Sequence, residues 1–154
     1  MRKKIRRVKI LQFLEYKVKE EIQKAREKYK PEKIKCLLIA EAPPDSTERF
    51  FYYEDVKEHD HLFLGVMEVL YSSLKQQFID EKRPTELKKE MLKRFQADGF
   101  YLLDLLDIPK KNFGKNLSEA VPELIKKVKD VATIDTPIIL IKANVFDLAY
   151  QPLL

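Results

Sequence analysis

The apolar positions of this chain fall into two kinds of run. In the first kind they recur at helical spacing. Over 6–30, Leu11, Leu14, Val18, Ile22, Ala25 and Tyr29 lie three or four residues apart, one apolar stripe down a predicted amphipathic helix. Pro31 ends it. The second kind is continuous. IKCLLIA (34–40), the stretch at about 100–106 in GFYLLDLLD, and TPIILIK (strand over 137–142) carry apolar residues without alternation, as strands buried on both faces do.

Helical stripes return between the strands. Leu62, Val66, Met67, Leu70, Leu74 and Phe78 predict one helix over 61–78, with Asp60 at its N-cap. TELKKEMLKRFQAD predicts the next, capped by Thr85 and closed by Gly99. LSEAVPELIKKVKDVA reads as a helix capped by Ser118, which puts Pro122 in the first turn. ANVFDLAYQP reads as a short helix with Asn144 as cap and Pro152 beyond its end.

Strands alternating with helices predict one α/β domain over 1–154, a three-layer α/β/α arrangement around a short parallel sheet of at least three strands. In such a sheet ligands bind beyond the C-terminal strand ends, where strand order reverses. The residues leaving those ends are Glu41, then Asp104 and Asp107, then Lys142 and Asn144.

Charge changes this picture by being uneven. Residues 1–35 hold 14 Lys/Arg against 5 Asp/Glu, a net of +9, and residues 36–154 hold 16 against 20, a net of −4. The basic character therefore sits in the N-terminal segment, where Arg2, Lys3, Lys4, Arg6 and Arg7 read as a phosphate-contacting arm, a solvated helix start or a contact to another anionic surface. The loop 41–61 carries seven Asp/Glu against Arg49 and Lys57, a poor neighbour for a phosphate backbone. The high share of charged residues, 36%, is a pattern seen in thermophile proteins.

A single cysteine, Cys36, excludes an intramolecular disulfide and a cysteine-ligated zinc or iron–sulfur site within one chain. With three glycines there is no dinucleotide fingerprint and no glycine-rich phosphate loop. His59-Asp60-His61 lacks metal-ligand spacing, and helix capping by Asp60 accounts for it more simply. No cofactor and no metal are expected. No apolar run of spanning length and no leader segment are visible, so a cytoplasmic protein without a membrane partner is expected.

Glu41 is the sharpest feature. It follows a buried strand, and Ala42-Pro43-Pro44 forces an extended exit. A carboxylate held there, partly desolvated, can have its pKa raised toward values suited to acid–base work, and the alternative is a carboxylate that caps a helix or braces the loop. Phe50, Phe51, Tyr52 and Tyr53 follow; at least two are expected in the core, and one is a candidate stacking surface for a planar ligand. Asp104 interrupts an apolar run and needs a partner if buried.

The stretch Ala40-Glu41-Ala42-Pro43-Pro44 resembles the first motif of the uracil-DNA glycosylase superfamily, in whose glutamate-bearing branch a strand ends in Gly-Glu-Ala-Pro. The order of elements is similar over most of the chain, with FYLLDLLDIP and TPIILIKANVFDLAY in the places of the second and third strands. The resemblance implies that fold and an N-glycosylase that flips a base out of the stack and reads its edge. It makes Glu41 the catalytic carboxylate, places Ala42 and Pro43 beside the substrate, makes Phe50 or Phe51 the stacking ring, and sets Asp104 where the family reads the base with Asn. An ionised Asp only accepts, which fits uracil less well than the amide does and opens the site to another base or nucleoside. Ala40 replaces the motif glycine, Ala42 stands where other branches carry Asp or Asn, and no histidine motif follows the third strand. A reduced or truncated relative is therefore expected. Two readings stand: an N-glycosylase acting on DNA or a nucleoside, or a non-catalytic binding protein on the same scaffold, including a homo-oligomer joined through an exposed sheet edge.

Overall fold

The computed structural model describes residues 1–154. Its sheet has three parallel strands, β1 (Cys36–Ala40), β2 (Phe100–Asp104) and β3 (Ile138–Leu140), in the order β2-β1-β3. Leu38 is the register point, level with Leu102 on one side and Ile139 on the other. The chain leaves central β1 for one side and returns from β2 to the other, so strand order reverses across β1.

Seven α-helices surround the sheet: α1 (Arg2–Lys28), α2 (His61–Leu70), α3 (Ser72–Asp80), α4 (Thr85–Ala97), α5 (Lys110–Phe113), α6 (Val121–Val131) and α7 (Ala143–Leu153). One face of the sheet carries Leu38, Phe100 and Ile139. There α2 lines an apolar groove, and Phe95 of α4 stacks on Phe100. The opposite face, with Leu37, Ile39, Tyr101 and Leu103, is also buried, and α7 packs on β3 and against α6. Burial on both faces is why β1 needs no polar positions.

The two edges of the sheet differ. Along β2, the Tyr52 hydroxyl accepts a hydrogen bond from the Leu102 N–H at 2.7 Å and lies 3.3 Å from the Leu102 carbonyl, which it can donate to. Beside β3 nothing of this kind occurs, and Ile139 is half exposed. Leu37 N–H donates to the Pro137 carbonyl and Ile141 N–H to the Ile39 carbonyl, so Ile138 and Leu140 turn their backbone groups outward.

Several helix ends depart from the sequence expectation. The helix expected over 61–78 breaks at Tyr71 (φ −141°, ψ 58°), whose hydroxyl donates to Asp98 at 2.6 Å and whose ring sits under Arg94. Asp60 occupies the N-cap position but its side chain caps nothing; it pairs with Arg83. Thr85 is the first residue of α4, after Pro84, and its hydroxyl donates to Asp55 at 3.1 Å instead of capping. Ser118 lies inside a short 3₁₀ turn, Leu117–Ala120, where the Glu119 carboxylate accepts from the Asn116 N–H. Asn144 is within α7, after Lys142 at the cap, and Pro152 lies in the last turn of that helix, not beyond it. At Gly99 (φ +85°) the chain turns from α4 into β2, and a Cβ there would meet Lys35 Cγ at 2.6 Å.

The first helix begins at Arg2, earlier than expected, and runs antiparallel to the strands. Arg26 reaches Asp104 at the C-terminal end of β2, whereas Lys35, after the helix, bonds Gly99 at the other end. Ile22 and Tyr29 are buried, but residues 1–17 are all exposed, Leu11 and Leu14 included. The apolar stripe predicts packing along its whole length; its upper half has no neighbour because it rises beyond the strand ends. Sixteen residues of helix extend about 24 Å at 1.5 Å each.

Candidate functional site

Glu41 is placed by pairing that continues past the strand. Leu105 N–H donates to the Ala40 carbonyl at 2.8 Å and Leu106 N–H to the Glu41 carbonyl at 3.0 Å. Pro43 and Pro44 then offer no N–H to draw the chain back into the sheet. The Glu41 carboxylate accepts a hydrogen bond from Asn144 Nδ2 and lies 3.5 Å from Lys110 Nζ. It also faces the N-terminal turn of α7, which favours negative charge.

These contacts decide its protonation. Burial pushes the Glu41 carboxyl up, but the Asn144 hydrogen bond and the charges of Lys142 and Lys110 outweigh it, and Glu41 stays below its ordinary range. The raised pKa that position alone allows is thus corrected. Glu41 is an ionised carboxylate, suited to accepting a proton or stabilising positive charge and unsuited to donating a proton.

Asp104 is buried and paired. Its Oδ2 accepts from Arg26 Nη2 at 2.9 Å, with both side chains about 2% exposed, and its backbone carbonyl accepts from Lys127 Nζ at 2.7 Å. Burial raises the Asp104 carboxyl, and Arg26 and Lys127 pull it only partly back. Asp107 holds Lys127 at 3.0 Å and Lys19 at 3.8 Å, bracing the same corner.

Glu41 and Asp104 share one cavity of about 260 Å³ at the C-terminal strand ends. Ala42 and Pro43 line it, with Arg49, Lys142, His59, His61 and the rings of Phe50, Phe51 and Phe63. Phe50 and Phe51 form wall but are only 1% and 3% exposed. Phe50 packs edge-on against Tyr53 and lies 5.5 Å from the Arg26 guanidinium; Phe51 packs against Tyr52, Phe63 and Phe95. Their rings are taken up by these neighbours and leave no open face for stacking. With Tyr52 they join the core, which leaves Tyr53 the most exposed of the four aromatics.

Asn144 is not on the cavity wall; it reaches the site through Glu41. Arg2, Lys3, Lys4, Arg6 and Arg7 lie on the exposed arm of α1, away from the cavity but beyond the same strand ends. His59 and His61 have ring centroids 6.0 Å apart, and no group of three or more His, Cys, Asp or Glu is arranged to hold a metal ion. A polar cluster runs from the cavity wall, which Asp60 also lines, into the core. Arg83 pairs with Asp60, and Lys88 Nζ sits 4.3 Å from the Phe63 ring centroid. Asp60 Oδ2 and Lys88 Nζ have no hydrogen-bond partner, and burial lowers the Lys88 pKa to about 8.

Sequence reasoning does not single out Arg26, Lys110, Lys127 or Lys88 as site residues. Arg26 carries a signal, because it follows Ala25 and lies four residues after Ile22, on the shoulder of the apolar stripe. The others stand in ordinary charged stretches of helices and carry none.

No helix is long and apolar enough to cross a membrane. The chain matches no family model, no curated protein and no solved structure.

Proposed function

We propose that this chain is an N-glycosylase of the uracil-DNA glycosylase type, with that superfamily's fold, which binds a nucleobase in the cavity at the strand ends. One observation carries the reading: Glu41 and Asp104, leaving adjacent strands, converge on a single cavity, with Glu41 held ionised by Asn144 from the third strand's helix. In this reaction water adds at C1′ of the sugar as the C1′–N bond breaks and the base leaves with the bonding pair. The transition state carries positive charge on the sugar, and a pre-oriented carboxylate beside it is the group that lowers its energy. Asp104 accepts a donor from the base edge. The basic arm of α1, rising from the same end of the sheet, supports a strand of nucleic acid as the source of that base.

A second reading, a binding protein without catalysis, is favoured by a different observation. Each carboxylate of the cavity is already engaged, Glu41 by Asn144 and Lys110, Asp104 by Arg26 and Asp60 by Arg83. A base-release assay on single- and double-stranded DNA carrying uracil or other altered bases separates the two. The glycosylase reading expects release by the wild type and a loss of about 100-fold or more in Glu41→Gln. Binding of the same strands without release in either protein selects the second reading.

A further inference from the structure

Lys142 has a strained backbone. At φ 77° and ψ 146° it has the largest positive φ of any non-glycine residue and lies near a region that essentially only glycine occupies. It is held there from both sides. Ile141 N–H is bonded to the Ile39 carbonyl at 2.8 Å, and the Lys142 carbonyl accepts from Phe146 N–H at 3.1 Å in the first turn of α7. Glycine would make this turn without strain. A residue kept in such a conformation at a cavity mouth points to a use for its side chain.

The charges around the cavity suggest that use. Its three carboxylates are met by Lys110, Arg26 and Arg83, none of which lines the cavity. Its own two cations, Arg49 and Lys142, form no ion pair and no side-chain hydrogen bond. Arg49 ends the 3₁₀ turn Thr47–Arg49, and Lys142 follows β3, so they reach the cavity from separate elements. Arg49 and Lys142 are thus the cavity-lining Lys/Arg side chains without a direct salt-bridge partner, although the Lys142 charge also acts on Glu41 from a distance.

We propose that Arg49 and Lys142 form an anion subsite that holds a phosphate attached to the sugar of the bound nucleoside. The identity of the attached group rests on the nucleobase reading; the subsite itself does not. The phosphate is either the monoester of a free nucleotide or a diester in a strand, and both chemistries suit a planar guanidinium beside an ammonium.

Calorimetric titration with four probes tests this: ribose 5-phosphate, a nucleoside, its 5′-monophosphate, and a single-stranded oligonucleotide of the same base. The expected result is that ribose 5-phosphate binds and the monophosphate binds at least about tenfold tighter than the nucleoside. Lys142→Gly and Arg49→Ala each reduce that tenfold ratio of monophosphate to nucleoside affinity toward one. Lys142→Gly also melts no lower than the wild type, which separates lost binding from lost folding. An oligonucleotide tighter than the monophosphate assigns the phosphate to a strand, and the reverse order assigns it to a free nucleotide. Nucleoside and monophosphate binding equally, or both variants binding phosphate like the wild type, overturns the subsite and leaves the base reading standing. Ribose 5-phosphate binding as tightly as every nucleotide keeps the subsite and overturns the base reading.

Discussion

The β2 and β3 sides of the sheet are made from similar runs, FYLLD and IIL, yet one is sealed and the other open. At β2 a phenol from the loop after β1 engages the backbone of Leu102, α1 lays Arg26 against Asp104, and Tyr29 stacks on Tyr52 with ring centroids 6.2 Å apart. At β3 the backbone faces outward and Ile139 is 50% exposed. The strands themselves do not make this difference. It comes from distant segments that fold back onto one side only. Stability is therefore expected to concentrate on the β2 side, while the cavity draws its walls from both.

The strongest way to break that contrast is Arg26→Ala. It leaves the Asp104 carboxylate buried without its partner and is expected to cost about 3–5 kcal/mol in chemical denaturation. Next comes Lys88, on α4 beside β2. Lys88→Met is expected to stabilise the fold by about 1–3 kcal/mol at neutral pH, since an unpartnered buried ammonium is replaced by an apolar chain of similar shape. The sign of its pH dependence follows. Its folded pKa of about 8 lies below the ordinary lysine value near 10.4, so the unfolded chain binds more protons between them. Wild-type stability should rise with pH across that window, and the rise should vanish in Lys88→Met.

Smaller effects sharpen the comparison. Tyr52→Phe strips the β2 edge of its hydroxyl and is expected to cost about 1–3 kcal/mol, whereas Ile139→Thr at the open edge should change stability by no more than about 0.5 kcal/mol. Equal costs for the two would mean that the edges do not differ in energy. The smallest effect is at Glu41. Its depressed pKa contributes stability that is present above the unfolded carboxylate value of about 4.3 and is lost as pH falls through the folded value. Asn144→Ala should move that loss to higher pH, read directly as an upward shift in the carboxyl titration of Glu41 by NMR.

The strands are legible in the sequence because a short, uninterrupted apolar run between polar segments has to be covered on both faces, and a sheet between helices does that. Glu41 is legible because a buried run ending in an acid before two prolines fixes both position and direction. Its protonation is not, because that depends on Asn144, 103 residues away, and on the charges of Lys142 and Lys110, whose distances to Glu41 are set only by the fold. The aromatic loop is legible in part: at least two of its rings are expected in the core, and Phe50, Phe51 and Tyr52 are there. Which ring stays open is not legible, because Phe50 and Phe51 sit among acids in sequence and meet other rings only in space. The break at Tyr71 is invisible in the pattern because the apolar stripe continues through it; what bends the chain is an anchor to Asp98, not a breaker residue.

Tyr52 has one more effect. Because its hydroxyl occupies the outer backbone of β2, the sheet is a template with only one live end. Any extended segment that lengthens it must be laid down beside β3, whose last residue lies two positions before Lys142. A strand added at that end would therefore lie close to a wall of the cavity, which Ile141 and Lys142 line.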